Sequence, residues 1–183
     1  MPHKKGDLYN LPPPTQGTVS LAILGMLDKL NIDGKDEGQF IHTTVEATKQ
    51  AFKLRDQYLT DPKYMNLHDG RVMVYGTRGG DGQPQTQAAI FHRYVVQGLG
   101  LQKSVSSPRW VYGRTVGDMH DRLLLEERFS NATVEYLRKR GHEVALLPSF
   151  SEDVGQAGAL VRHSNGMLEG AGDPRSDGNA ADF

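Results

Sequence analysis

The chain has 183 residues, 37% of them hydrophobic, with Lys+Arg 21 against Asp+Glu 22 and a net charge of -1. That length suits one domain with a substantial core, and the balanced charge gives no footprint for a nucleic acid or an anionic membrane. Cysteine is absent, which excludes disulfides, zinc-thiolate sites and a cysteine nucleophile.

Met1-Pro2-His3-Lys4-Lys5 leads to a triple proline and not to an apolar leader core, so no export signal is expected and the compartment stays open. No apolar run approaches the roughly 20 residues that span a bilayer. Prolines 12–14 fix an extended entry, and the run from Val19 to Leu27 predicts a mostly buried helix over residues 18–30. Residues 31–38 are turn formers. A second helix is expected over 40–58, with Ile41, Val45, Thr48 and Phe52 on its inner face and Lys49, Lys53 and Asp56 outside; Thr60-Asp61-Pro62 ends it. Residues 63–68 show no period, and Asp69-Gly70 predicts a turn into a strand over 71–75.

Four glycines, Gly76, Gly79, Gly80 and Gly82, follow that strand, and a helix is expected over 86–99 with Ala89, Ile90, Tyr94 and Val95 buried and His92 and Arg93 facing out. Residues 104–108 predict loop, 110–112 a short strand, and 122–129 a strand that is also compatible with helix. Ser130 or Asn131 caps a helix that runs to Arg140 and stops at Gly141. A strand is expected over 142–147, then two strands, 158–162 and 167–169, joined through Ser164-Asn165-Gly166. The tail is polar and rich in turn formers.

The strand, glycine turn and helix around Gly79 and Gly80 form the first candidate for chemistry. Without Cβ atoms, backbone amides at such a corner approach a phosphate, a carboxylate or a developing oxyanion. The spacing is not Gly-x-Gly-x-x-Gly, and no lysine followed by serine or threonine closes it as a P-loop. An oxyanion hole therefore leads, a nucleotide site is the runner-up, and a ligand-free tight loop remains open.

Other chemistries find little footing. The histidines at 3, 42, 68, 92, 120, 142 and 163 form no His-x-x-x-His pair, so no metal site is expected. No Gly-x-Ser-x-Gly elbow occurs. Glu126-Glu127 and Glu152-Asp153 are expected to be solvated surface rather than a glycosidase pair. Thr43-Thr44 lies inside the second expected helix, an ordinary helical position rather than a nucleophile.

Leu11-Pro12-Pro13-Pro14-Thr15-Gln16-Gly17, then Glu46-Ala47 leading to Arg55-Asp56-Gln57-Tyr58-Leu59-Thr60-Asp61-Pro62, resembles the end of the large subunit of γ-glutamyltransferases. Gly76 to Gly80, Pro108-Arg109-Trp110 and above all Gly170-Ala171-Gly172-Asp173-Pro174-Arg175-Ser176-Asp177-Gly178 resemble the later part of the small subunit. The resemblance implies an α+β fold, part of the four-layer αββα sandwich of N-terminal nucleophile hydrolases, with mostly antiparallel strands and flanking helices. It divides a single domain, 1–183, into a helical large-subunit portion, 1–66, and a mixed small-subunit portion, 67–183.

In that family an exposed threonine attacks the γ-glutamyl amide of glutathione and similar compounds, with no metal or organic cofactor, and Gly79 and Gly80 match the adjacent glycines of the oxyanion hole. Between Asp61-Pro62-Lys63-Tyr64 and His68-Asp69-Gly70-Arg71 the family carries a long segment with the threonine nucleophile and substrate-gripping residues; here a few residues stand in its place. Measured against the family, most of the large subunit, including an arginine for the substrate carboxylate, is expected to be missing before Met1, and any leader of a family often exported would lie in that part. The chain alone is therefore expected to be inactive, with no catalytic residue of its own. Loss of central strands is expected to expose sheet edges and apolar faces, open to self-association or a complementing chain. The alternatives are a non-catalytic anion-binding or interaction module and half of a two-chain hydrolase.

Overall fold

Helix α1 (Gly17–Lys29) turns Val19, Ile23, Leu24 and Leu27 into the core, the stripe expected of an amphipathic helix. The computed structural model describes residues 1–3, 6–10, 16–32, 34–58, 72–113, 122–178 and 180; the expectations for 59–71, the family junction included, lie outside them. A short hairpin, β1 (Pro2–His3) with β2 (Gly6–Asp7), precedes α1.

Helix α2 (Glu37–Tyr58) begins three residues before its expected start, because Asp36 caps it: Asp36 Oδ1 accepts from Gln39 N at 2.9 Å. Its inner face carries Ile41, Val45 and Thr48, all fully buried, as the spacing predicted. Thr44 Oγ1 donates to the Phe40 carbonyl at 2.8 Å, so Thr44 sits as an ordinary helical residue.

Strand β3 (Val72–Arg78) leads through the glycine turn into α3 (Gly82–Phe91), which continues as a π-helical segment, His92–Val96. One expectation is corrected here. Residues 88–93 are buried without a break, so the helix is enclosed on all sides rather than amphipathic, and His92 and Arg93, expected outside, are buried. His92 stacks on Phe40 with ring centroids 4.5 Å apart. Arg93 donates to the Pro108 carbonyl at 2.7 Å and lies over Trp110.

Helix α4 (Leu101–Ser106) occupies part of the expected loop. Then come β4 (Trp110–Tyr112), β5 (Leu123–Glu126), α5 (Asn131–Lys139) and β6 (Val144–Leu147), followed by β7 (Gln156–Arg162) and β8 (Leu168–Gly172). Strand β5 resisted assignment as strand or helix because it is buried along its whole length and does not alternate. Ser130 caps α5, accepting from Thr133 N at 3.1 Å.

Two three-stranded sheets result. β3, β7 and β8 are antiparallel throughout; β5 pairs antiparallel with β4 and parallel with β6 across α5. One buried cluster draws on both portions of the chain, with Ile23, Leu27, Ile41 and Val45 beside Ala88, Trp110 and Leu125. A second packs Ile90, Leu101 and Val105 against Ala157, Ala159, Val161 and Ala171 of the antiparallel sheet. The opposite face of that sheet carries exposed apolar side chains: Val74 is 64%, Leu160 57% and Leu168 77% exposed, while Ala180 approaches it at Gly170. Among the described residues no helix is long and apolar enough to cross a membrane.

Candidate functional site

The glycine turn closes between two hydrogen bonds, Gly82 N to Gly79 O at 2.8 Å and Gln83 N to Gly80 O at 3.1 Å. Gly79 has φ +133° and Gly80 φ +53°, backbone conformations that a Cβ disfavours. Among the described residues neither the Gly79 nor the Gly80 amide donates to any acceptor. A Cβ on Gly80 would meet nothing within 4 Å, so the space beside that backbone is open.

On its other side the turn is braced. A Cβ on Gly79 would lie 3.0 Å from the Gly155 Cα, and one on Gly155 would lie 2.3 Å from the Arg78 carbonyl oxygen. The end of β3 and the start of β7 thus touch backbone to backbone, which requires glycine at both positions. At the start of α3 the buried Gln85 side chain copies a strand: its Nε2 donates to the Tyr112 carbonyl at 2.6 Å and its Oε1 accepts from Tyr112 N at 2.8 Å. The helix is thereby locked to β4. Thr77 and Thr86, the threonines nearest in sequence, donate to the carbonyls of Arg78 and Val154.

Behind the turn lies a buried ionic network that composition concealed. Arg175 grips Glu126 through two bonds, Nε to Oε1 at 2.7 Å and Nη2 to Oε2 at 2.6 Å, and its Nη1 reaches Asp173 Oδ1 at 3.1 Å. Asp173 Oδ2 accepts from Arg109 Nη2 and from Ala157 N. Arg109 Nη1 then donates to the Gly155 carbonyl at 3.0 Å. Glu126, expected on the surface, is fully buried, and so are Asp173 and Arg175 from the polar tail. Each carries partners for its charge, which is how ionised groups survive inside a fold.

Burial resists ionisation of Asp173, but the charge and hydrogen bond of Arg109, with the amides of Arg175 and Ala157, hold its carboxyl below the usual range. Burial pulls Arg109 down to about 10, with Arg175 adding to the effect, and Arg93 likewise to about 10 with help from Arg109. Arg109 and Arg93 stay cationic at neutral pH. The network ties the tail to Arg109, Arg109 to Gly155, and Gly155 to the back of Gly79.

A second cluster stands apart. His42 and Glu46, one turn apart on α2, meet His142, with His42 Nδ1 and His142 Nε2 2.7 Å apart. The search for paired histidines along the sequence missed it because the partners lie 100 positions apart.

The described residues form part of an N-terminal nucleophile hydrolase fold. Among solved structures, similarity is found to the cephalosporin acylase of Bacillus halodurans (TM-score 0.52, 26% identity, 58% of this chain and 19% of that one). The transpeptidase CapD of Bacillus anthracis also matches (TM-score 0.54, 23% identity, 64% of this chain and 68% of that one), a likeness of fold alone.

The chain belongs to the gamma-glutamyltranspeptidase family, whose model matches residues 1–71 and 66–183. It is 37% identical to the oxamate amidohydrolase proenzyme of Klebsiella pneumoniae, covering 99% of this chain and 54% of the relative. A glutathione hydrolase-like proenzyme of Bacillus subtilis, YwrD, is 44% identical over 59% of this chain and 21% of its own length. The chain thus spans about half the length of the first relative and a fifth of the second.

Proposed function

We propose that this chain is an amide-hydrolase polypeptide of the gamma-glutamyltranspeptidase family that keeps the oxyanion cradle, Gly79 and Gly80, and lacks the threonine that would generate the oxyanion. One observation carries the reading. The family model matches in two stretches that meet at residues 66–71, and the alignment with the Klebsiella proenzyme runs over 286 positions although this chain has 183 residues. About a hundred positions of that relative thus have no counterpart here, and the junction falls where the family's nucleophile segment is expected.

In a complete enzyme of this kind the threonine hydroxyl adds to the amide carbonyl and the oxygen takes the charge. Two preorganised amides beside it are worth several kcal/mol of barrier, about 3–4 for one good donor. The unengaged amides of Gly79 and Gly80 and the open space at Gly80 support that role. Without an attacking group the cradle stabilises nothing.

The substrate class is an amide next to a carboxylate-bearing group. The family points to γ-glutamyl compounds such as glutathione; the relative matched over nearly the whole chain points to oxamate. The purified chain is incubated separately with a chromogenic γ-glutamyl anilide and with oxamate, following anilide and ammonia release, and its intact mass is followed during storage. The expected result is no turnover and a stable 20.2 kDa species. Turnover or self-cleavage by the chain alone overturns the reading. Turnover only after adding a separate polypeptide that bears the threonine would make it half of a two-chain hydrolase.

A further inference from the structure

Two histidines on separate elements converge on a carboxylate at the junction of α2 and β6. His42 and Glu46 share one face of α2 because four residues make one helical turn. His142 is delivered by the end of α5. Gly141 has φ +86°, its amide donates to the Arg138 carbonyl at 2.9 Å, and the His142 amide reaches back to the Leu137 carbonyl at 3.2 Å. These paired bonds form a Schellman closure, which fixes the His142 backbone against the helix end.

One nitrogen from each ring and one oxygen of Glu46 lie within 4.8 Å of one another. We propose that His42, Glu46 and His142 form a binding site for a divalent transition metal of the zinc, cobalt and nickel class, which would tie α2 to the turn before β6. Two imidazoles and a carboxylate match this class, and three protein ligands leave a fourth position for water.

The distances set what must move. At 2.7 Å the two ring nitrogens share a hydrogen bond. Around a tetrahedral ion with nitrogen ligands at 2.0–2.1 Å they would stand about 3.3 Å apart, so the rings need to open by roughly half an ångström. His42 Nδ1 and His142 Nε2 then carry the lone pairs. The ring proton between them shifts to the remote nitrogen of its own imidazole, so no proton need leave the rings.

Glu46 already holds a cation, the Lys49 ammonium, 2.7 Å from Oε1. Both side chains are partly exposed, so that pair is weak. Lys49 also lies over the Tyr112 ring, 5.0 Å from its centroid, where it can rest when a metal takes the carboxylate. Burial, with Lys49 nearby, lowers the pKa of both rings from the ordinary 6.5.

The full chain, stripped with chelator, is titrated with Co²⁺ alone, followed by visible absorption, and with Zn²⁺ alone by calorimetry. One equivalent is expected to bind at micromolar or tighter affinity. His142→Ala is expected to weaken binding at least about 100-fold, and Lys49→Gln to strengthen it several-fold by freeing Glu46. His42→Gln provides the same loss with hydrogen bonding retained, and circular dichroism confirms that each variant is folded. Absence of saturable binding up to millimolar Zn²⁺, or His42→Gln and His142→Ala binding as tightly as the parent, overturns the site.

Discussion

Asp173 is the residue on which two charged neighbours and one strand depend. It pairs with Arg109 and Arg175 and accepts from the first amide of the β7 core face, Ala157 N. Replacing it by Asn keeps the shape and removes the charge, leaving Arg109 buried without its anion. Breaking one side of a buried pair costs about 3–5 kcal/mol, so Asp173→Asn is expected to lower stability by that order in urea unfolding. Arg78→Ala, which removes an exposed pair with Glu152 at 3.5 Å, is the control and should stay within about 0.5 kcal/mol.

A second prediction at this scale separates two glycines that look alike in sequence. Gly80→Ala meets open space and costs only the left-handed backbone penalty, about 1–2 kcal/mol. Gly155→Ala places a methyl 2.3 Å from the Arg78 oxygen, so β3 and β7 must separate, and it is expected to destabilise well beyond Gly80→Ala. Equal losses in the two variants would show that the braced turn is not what the packing implies.

Between elements, the contact of α2 with the turn after α5 makes stability depend on pH. His42 and His142 have their pKa values lowered from the ordinary 6.5, first by burial; Arg140 and Lys49 add to this at His42, and Lys49 and His42 at His142, while Glu46 acts in the opposite direction on both. A ring whose pKa is lower folded than unfolded contributes stability above the unfolded value, which is lost as pH falls through the folded one. The parent is therefore expected to lose stability from pH 7 to 5, by urea unfolding in chelator, and His42→Gln with His142→Gln to lose less. A parallel decline in both proteins would exclude the pair as its source. Asp173, whose pKa is also lowered, acts below this window.

The same contact shows what the sequence could carry. The capped α5, the glycine turn and the Ser164 to Gly166 hairpin were legible because caps and turns are written in local chemistry. The burial of Glu126, Asp173 and Arg175 was not, since a charged residue declares its partner only when distant segments meet. His92 and Arg93 were misplaced for a different reason: this helix is buried on all sides over residues 88–93, and polar residue types suggested a solvent face that it does not have.

At the scale of the whole molecule, the antiparallel sheet has one face against helices and one against solvent. Tyr75, Ala159 and Ala171 align across β3, β7 and β8 on the packed face, while Val74, Leu160 and Leu168 project from the other. Sheets of a soluble domain ordinarily alternate apolar inside with polar outside. Here exposed apolar residues stand on the solvent face as well, and contiguous exposed apolar surface promotes association. Val74 and Leu160 face each other directly in register, so one charge at Leu160 interrupts the centre of the patch. Leu160→Lys is expected to reduce binding of a hydrophobic dye and concentration-dependent light scattering, with little change in unfolding free energy because the side chain is more than half exposed. An unchanged dye signal and scattering would mean that the face is already covered in solution. A large loss of stability would mean that Leu160 is held by contacts that the exposed face does not show.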